Sequence, residues 1–249
     1  MIKPLMQAAA LTAMSFMGSA ALAEDAVDQK VVDAITDALA NPAMGLEVSS
    51  VEMSPIPGLY EVAYTSGPVV YSTASGDYVI LGDLYSVGIE GYTNLTAKRL
   101  DGARAAALAE IDEQDMIIFA PEGETVAQIT VFTDTTCFYC QKLHREVPEL
   151  NKRGVAVRYL AYPRSGIGSP GYVEMVTAWC AKDKQDTLTK LKDRQSVPEL
   201  SCDDNPVEAQ YGLGQQMGVQ GTPAMVMDDG TMIPGYQSAD DLMNTMGLR

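Results

Sequence analysis

The stretch Gln128-Ile-Thr-Val-Phe-Thr-Asp-Thr-Thr-Cys-Phe-Tyr-Cys140 decides how this chain folds. Its first six residues, 128–133, alternate apolar and β-branched side chains like a strand that enters a core. Asp134 and the two threonines after it are helix-capping residue types, so a helix is predicted to follow, with Cys137 on its first turn. Backbone N–H groups and the positive end of the helix dipole there favour a thiolate over a thiol.

This placement predicts different chemical roles for the two cysteines. A thiolate is the species that attacks disulfides, so Cys137 is predicted to be the nucleophile. Cys140 lies one turn later, in line with the apolar side of the helix, and is predicted to be shielded and to act as the resolving thiol. Strand, cap, Cys-x-x-Cys and helix, in this order, form the thioredoxin-type redox signal.

Two other roles are open to a Cys-x-x-Cys pair. A zinc site needs two more ligands at suitable spacing, and the chain offers only Cys180, Cys202 and its single histidine, His144, with no second close pair. A purely structural disulfide across so short a loop would remove little entropy from the unfolded chain. Redox chemistry is therefore the favoured interpretation, and it requires no cofactor and no metal.

Residues 1–23 have the parts of a secretory signal peptide. Lys3 supplies a positive n-region, residues 5–17 are mostly apolar, and Ala21-Leu-Ala23 resembles a cleavage site. The apolar stretch is short and interrupted by polar residues, which disfavours a membrane anchor. We therefore expect an exported protein without membrane insertion, in a compartment where disulfides persist.

The charge of the chain argues against two classes of partner. There are 33 acidic and 17 basic residues, a net charge of −16. Phosphate backbones and anionic lipids repel such a chain, so no nucleic-acid or membrane-surface partner is expected. The excess of acidic residues otherwise indicates a solvated surface.

The other two cysteines are expected to be structural. Four cysteines in an exported chain permit three pairings. If Cys137 and Cys140 are the active pair, Cys180 and Cys202 remain to bond each other, which would stabilise the fold by about 3 kcal/mol in the chain-entropy model. The alternative is that one of them is a third catalytic thiol. Cys180 lies in an apolar helical stretch beside Trp179, and this environment favours the disulfide.

The length suits two modest domains better than one large one. In residues 24–90, apolar residues recur at helical spacing from Val27 to Leu39, and Asn41-Pro42 ends the helix. Short alternating strands are predicted to follow at 59–64, 69–71 and 78–81. These elements make a thin core, so this domain is predicted to gain burial from a second copy of itself in a homodimer.

An alanine-rich helix at about 94–112, within a linker segment at 91–115, is predicted to join this domain to a catalytic domain at 116–249. The catalytic domain is predicted to contain a strand, the Cys-x-x-Cys helix, a strand, a helical insert, a helix, a hairpin and a last helix. This order predicts a thioredoxin fold with a helical insertion. The chain is thus expected to be an α/β protein, with an α+β N-terminal domain before the thioredoxin-like one.

The hairpin near the end is preceded by Gly221-Thr-Pro-Ala224. In a thioredoxin fold this strand entry lies against the Cys-x-x-Cys turn. We therefore expect a cis bond between Thr222 and Pro223, although trans bonds are far more common before proline. Thr222 would then offer its backbone to an extended substrate chain, in the manner of strand addition.

Several motifs in matching order and spacing resemble the periplasmic disulfide isomerases of the DsbC/DsbG family, and DsbC more closely. The resemblance covers essentially the whole chain after residue 23, and it is densest in Val131 to His144, Val157 to Arg164, Trp179 to Lys184, Gly221 to Ala224 and Gly230 to Tyr236. It implies an N-terminal dimerisation domain, a linker helix and a thioredoxin domain, assembled as a V-shaped homodimer with an uncharged cleft.

The resemblance also implies roles for individual residues. Cys137 attacks and Cys140 resolves, Thr222-Pro223 orients substrate, and Cys180–Cys202 is structural. DsbC proteins usually carry Gly-Tyr between the active cysteines, where this chain has Phe138-Tyr139. This pair influences thiolate stability and the docking of partners, and Phe138 and Tyr139 are predicted to face and bind incoming chains.

The function predicted from these residues is that of a periplasmic protein disulfide isomerase, kept reduced by a membrane thiol reductase of DsbD type. Its substrates would be misfolded or unfolded exported proteins with disulfides. Two alternatives remain. One is a thiol reductase of DsbG type that acts on sulfenic acids, and the other is a non-enzymatic periplasmic chaperone, or holdase, in which the cysteines would be dispensable.

Overall fold

The computed structural model of the chain describes residues 27–65, 68–89 and 91–248. The predicted signal peptide, residues 1–23, lies outside the described residues. Within the described ranges, no helix is both long enough and apolar enough to cross a bilayer. The elements form a small N-terminal sheet with one helix, a long connecting helix, and a larger C-terminal sheet covered by helices.

The N-terminal part is one helix against a four-stranded antiparallel sheet. Its elements are α1 (Gln29–Leu39), β1 (Val48–Met53), β2 (Leu59–Tyr64), β3 (Val70–Thr73) and β4 (Val79–Leu81), with the strands in the order β1-β2-β3-β4. The buried apolar cluster of this sheet consists of only Ile35, Val62 and Val70. The thin core expected from the sequence is therefore confirmed.

Three strands of the N-terminal sheet were predicted at or near their observed positions. The strand predicted at 59–64 is confirmed, and those at 69–71 and 78–81 match β3 and β4 within two residues. The prediction overlooked β1 and a separate hairpin of β5 (Tyr85–Gly88) and β6 (Gly91–Asn94). Nearly every side chain of that hairpin is exposed, so it lacks the inside–outside alternation that identifies a strand.

The connecting helix α2 (Leu95–Ala109) lies within the predicted linker segment and contacts the elements on either side. Near its start, Arg99 forms an ion pair with Glu61, a buried carboxylate of the N-terminal sheet. Further along, Nε of Arg104 donates a hydrogen bond to the carbonyl oxygen of Met217, at 3.0 Å. These contacts connect α2 to both the N-terminal sheet and the C-terminal part.

The C-terminal part is a five-stranded mixed sheet with the strand order β11-β10-β8-β9-β7. Strands β8 and β9 are parallel, and every other neighbouring pair is antiparallel. The elements are β7 (Ile117–Phe119), β8 (Ala127–Thr133), α3 (Phe138–Lys152), β9 (Val155–Ala161), α4 (Pro170–Cys180), α5 (Lys184–Lys192), α6 (Val207–Gln216), β10 (Ala224–Met227), β11 (Met232–Pro234) and α7 (Ala239–Thr245). From β8 onward this is the predicted element order, helical insert included, whereas the strand β7 was not predicted.

Strand β8 runs through the middle of this core. Its last five residues, 129–133, are fully buried, and alternate side chains belong to two different apolar clusters, with Val131 in one and Phe132 in the other. The stripe of α3 that ends at Leu150 packs on the first of these clusters. Residues 134–137 connect the end of β8 to the start of α3, where the cysteine pair lies.

The packing of α2 against the hairpin between β10 and β11 can be tested by substitution. Gly230 adopts a φ of 85° in the turn, and a Cβ atom there would collide with the backbone carbonyl group of Asp101 in α2. Gly230→Ala should therefore lose about 1–2 kcal/mol of unfolding free energy from the left-handed backbone and a further amount from displacing α2. Urea denaturation measures the loss.

Gly235→Ala is the matched control, because Gly235 has a similar φ of 80° and open space where its Cβ would lie. It should lose only the backbone contribution. Equal losses in the two variants would show that α2 does not press on the hairpin.

Candidate active site

Cys137 lies directly at the start of α3. It is the N-cap residue, one position before the first turn in which it was predicted, and the helix begins at Phe138. The predicted side-chain cap is wrong, since no described side chain caps α3. Asp134 instead accepts hydrogen bonds from the backbone N–H and hydroxyl of Thr136, both at 2.7 Å, and it forms an ion pair with Arg164 at 3.2 Å.

The missing cap leaves the helix start available to the sulfur of Cys137. The pKa of Cys137 is lowered to about 5, chiefly by a hydrogen bond from the thiol of Cys140. Burial acts in the opposite direction and is outweighed by further contributions from Thr222, the backbone N–H of Cys140 and the charge of Arg164. Neutral pH therefore favours the thiolate of Cys137.

Cys140 has the opposite character. Its side chain is fully buried, as its position in the apolar stripe predicted. Burial raises the pKa of the Cys140 thiol, and the hydrogen bond to Cys137 raises it further, while the positive charge of Lys192 opposes both. The two thiols thus differ in acidity because hydrogen bonds prevail at Cys137, whereas burial prevails at Cys140.

The loop before β10 completes the site from the other side. The Thr222–Pro223 peptide bond is cis, as predicted. In its protonated form, the thiol of Cys137 donates a hydrogen bond to the carbonyl oxygen of Thr222, at 3.2 Å. Next to this loop is a cavity of about 280 Å³, lined by residues 218, 220–224, 232, 234 and 235.

Aromatic side chains form an exposed patch beside Cys137. Phe138 is 63% exposed and Tyr139 55% exposed, and their rings meet edge to face at 5.4 Å. Tyr139 stacks on Tyr236 with 6.4 Å between ring centroids, and Nζ of Lys142 lies 4.2 Å from the Tyr236 ring centre. Sequence analysis predicted that Phe138 and Tyr139 bind incoming chains, and it did not include Tyr236 in the patch.

Sequence analysis also missed Lys192, a lysine of α5 that is only 1% exposed. Its Nζ donates a hydrogen bond to Oγ1 of Thr133 at 2.7 Å. A lysine in a helical insert is ordinarily expected to be exposed to solvent. The available signal was its spacing, because Lys192 follows Leu188 and Leu191 on one helix face, and both leucines are buried.

His144 and the second cysteine pair lie away from the reacting sulfurs. His144 is buried in α3, and its two ring nitrogens contact the hydroxyls of Tyr159 and Thr189, each at 3.0 Å. Burial, with the charge of Lys192, lowers the pKa of His144 to about 3, so it is a neutral core residue at physiological pH. Cys180, the last residue of α4, is joined by a disulfide to Cys202.

One thiol that ionises below neutral pH, with a second thiol one helical turn away, can exchange two electrons with a disulfide. The thioredoxin-type sheet and this pair of thiols together define a thiol-disulfide oxidoreductase.

Comparisons with known proteins identify the kind of oxidoreductase. Residues 113–247 match the family model of a thioredoxin-like domain, and residues 18–97 match that of the disulfide bond isomerase protein N-terminal domain. The thiol:disulfide interchange protein DsbC of Escherichia coli is 40% identical over 202 residues, which cover 80% of this chain and 81% of that protein. DsbC of Pasteurella multocida is 34% identical over 203 residues, 82% of this chain and 86% of that protein.

A solved structure shares the fold at lower sequence similarity. It is a linker-deletion mutant of ScsC from Proteus mirabilis, with a TM-score of 0.52 and 18% identity, covering 61% of this chain and 82% of that chain. The chain belongs to the DsbC family of thiol:disulfide interchange proteins, and its activity is that of a protein disulfide isomerase.

The acidity of Cys137 can be tested by alkylation. In reduced protein, the rate of reaction of Cys137 with iodoacetamide should rise with pH around a midpoint near 5, the pKa of its thiol. Cys180 and Cys202 should stay unlabelled because they are bonded to each other. Mass spectrometry of samples quenched at a series of pH values measures both.

Cys140→Ala removes the largest single contribution to the low pKa of Cys137. The alkylation midpoint of this variant should move to higher pH. A midpoint that Cys140→Ala leaves unchanged would contradict this account of the site, as would a wild-type midpoint near that of an ordinary thiol.

Proposed function

We propose that this isomerase acts through Cys137 as the nucleophile and Cys140 as the resolving thiol. The observation that carries the proposal is the contrast between an acidic thiol at a helix start and a buried, protonated thiol one turn away. The thiolate of Cys137 attacks a substrate disulfide, forms a mixed disulfide and releases one substrate thiolate. A second substrate thiol then attacks the mixed disulfide, which restores Cys137 and leaves the substrate with a new pairing.

Cys140 provides a second way to resolve the mixed disulfide. When no substrate thiol reacts, Cys140 attacks the sulfur of Cys137, and the substrate leaves as a thiol while the protein holds a Cys137–Cys140 disulfide. That disulfide must be reduced again before the next cycle. We propose a membrane thiol reductase of DsbD type as the electron donor, because an exported protein has no access to cytosolic reductants.

Substrate binding is proposed for Phe138, Tyr139, Thr222 and Pro223. The exposed aromatic patch offers apolar, sequence-tolerant contact to an unfolded chain. The backbone of Thr222 lies 3.2 Å from the reactive sulfur, where an extended chain can pair with it as an added strand. These features suit misfolded or unfolded exported proteins. Cys180–Cys202 then serves as a structural disulfide rather than as a redox pair.

A homodimer is proposed through the N-terminal part. All three residues of the edge strand β4 are exposed, and Leu81 among them is 77% exposed. The neighbouring hairpin adds exposed apolar side chains, such as Val87 and Tyr92. An unpaired edge with so much exposed apolar surface is typical of a protein–protein contact. A second copy would bury this surface and supply the core that the N-terminal sheet lacks.

The location proposed is the periplasm. The predicted signal peptide and the pair Cys180–Cys202 both suit an oxidising compartment outside the cytosol. No cofactor is needed for the exchange, because both sulfurs that react belong to the chain itself.

Cys137→Ser distinguishes the isomerase from a holdase. A serine hydroxyl does not ionise near neutral pH, so recovery of activity in a scrambled, multi-disulfide substrate should fall by about a hundredfold or more. Suppression of aggregation of a cysteine-free substrate should stay the same, because the apolar surfaces are intact. Isomerisation at the wild-type rate by Cys137→Ser would support the holdase instead. If the wild-type protein reduced a sulfenic-acid substrate but did not isomerise disulfides, the reductase alternative would be supported.

Leu81→Glu tests the role of the N-terminal surface. A charge in an apolar interface should convert the dimer to a monomer by light scattering at micromolar concentration, since burial of an unpaired carboxylate is costly. Isomerisation should fall by about tenfold without a second arm to hold the substrate, while dithiol reduction of a small disulfide stays unchanged.

Leu200→Glu is the matched control, because Leu200 is also exposed, at 44%, but lies in the C-terminal part. It should remain a dimer and keep both activities. A wild-type protein that is monomeric, or a dimeric Leu81→Glu variant, would refute the assembly through β4.

A further inference from the structure

Lys192 ends α5 inside the core, close to the active cysteines. Its ammonium group donates to the hydroxyl of Thr133 at 2.7 Å. Thr133 ends β8, four residues before Cys137 in the sequence, so the charge of Lys192 lies at the base of the active-site loop. The lysine is 1% exposed, and water therefore does little to stabilise its charge.

A buried ammonium group ordinarily pairs with a carboxylate, because desolvation is otherwise uncompensated. Among the residues that the structure describes, Lys192 takes part in no ion pair. The nearby carboxylate, Asp134, is engaged by Arg164 and Thr136. In the part of the chain that the structure describes, the other contact of the ammonium group is the ring face of Tyr159, with the ring centre 5.1 Å away, which is weaker than an ion pair.

Charged and titratable groups face Lys192 from three sides. They are Cys140 and His144 of α3, Tyr159 of β9, and Asp134 and Cys137 of the loop between β8 and α3. Among the anions this set can form, the thiolate of Cys140 favours the charge of Lys192 most strongly. The charge of Lys192 in turn lowers the pKa of Cys140, against the effect of burial. The charge of Lys192 also interacts with Cys137, but less strongly than with Cys140.

We propose that Lys192 is a positioning residue for the second chemical step, in which its buried positive charge stabilises the thiolate of Cys140 as that thiolate attacks the mixed disulfide at Cys137. The proposal rests on the roles proposed above for the two cysteines. It explains why an ammonium group is kept without a carboxylate partner: the matching anion forms only during the reaction.

The step is balanced as follows. Cys140 loses its proton to solvent, and its sulfur forms a bond to the sulfur of Cys137. The bond between Cys137 and the substrate sulfur breaks, and the substrate leaves as a thiolate that takes a proton from solvent. The two sulfurs of the protein are oxidised to one disulfide, and the substrate sulfur is reduced. Lys192 stabilises the charge on Cys140 and is unchanged at the end.

Both chemical steps can be observed in one experiment with the full chain. A symmetrical nitrophenyl disulfide with a coloured thiolate is mixed with reduced protein in a stopped-flow instrument. The attack of Cys137 releases the first coloured thiolate, and the attack of Cys140 on the resulting mixed disulfide releases the second. The two phases report separately on the two cysteines.

Lys192→Met removes the charge and keeps a side chain of similar length. Loss of this charge raises the pKa of the Cys140 thiol, so a smaller fraction of it is thiolate, and the second phase should slow by about tenfold at neutral pH. The pH profile of that phase should move to higher pH, and the first phase should stay within about twofold of wild type.

Lys190→Met is the matched control, because Lys190 is on the same helix but exposed, where it pairs with Asp186 at 2.6 Å. Both phases should keep their wild-type rates. Lys192→Gln keeps a hydrogen-bond donor for Thr133 without the charge, and it should reproduce the slow second phase even if Lys192→Met folds poorly.

A second phase with the wild-type rate and pH profile in Lys192→Gln would overturn the proposal. So would an equal slowing of both phases, since that pattern indicates general damage to the site. A wild-type protein without a first phase would contradict the proposed role of Cys137 itself, and the two failures are therefore distinguishable.

Discussion

The burial of β8 between β10 and β9 is the constraint on which the rest of the structure depends. Because β10 runs antiparallel to β8, with Ala224 opposite Phe132, the loop before β10 returns to the end of β8 where α3 begins. The carbonyl of Thr222 thereby comes within 3.2 Å of the sulfur of Cys137. A shift of β8 by one residue would reverse which side chains enter each apolar cluster and would separate these groups.

The same packing creates two chemically different thiols from one short motif. Both sulfurs lie in an environment that disfavours charge by desolvation, yet hydrogen bonds and the charge of Arg164 reach Cys137 and reverse that effect. Cys140 lies one turn further along α3 and faces the core, where the effect of burial on its pKa outweighs that of the neighbouring charge. The electrostatics of the site are therefore set by depth in the core and by neighbours from distant parts of the chain.

The N-terminal and C-terminal parts differ in how many of their apolar residues are buried. The C-terminal sheet has large apolar clusters on both faces of β8, while the N-terminal sheet buries only three apolar residues in its cluster and exposes many others in β4 and the following hairpin. A small sheet with its apolar side chains on the outside is better suited to association than to independent stability. The connecting helix α2, held by Arg99 and Arg104, would link the proposed dimer contact to the catalytic part.

Local patterns in the sequence determined the redox class, the order of the elements from β8 onward and the thin N-terminal core. These follow from periodicity and from the spacing of two cysteines, which act over a few residues. Tertiary structure alone decided that Asp134 pairs with Arg164 instead of capping α3, that Tyr236 joins Phe138 and Tyr139 in one patch, and that Lys192 is buried near Cys140. Each of these depends on residues far apart in the chain, and such contacts arise only when the sheet assembles, because solvent exposure is a property of the packed fold and not of a residue type.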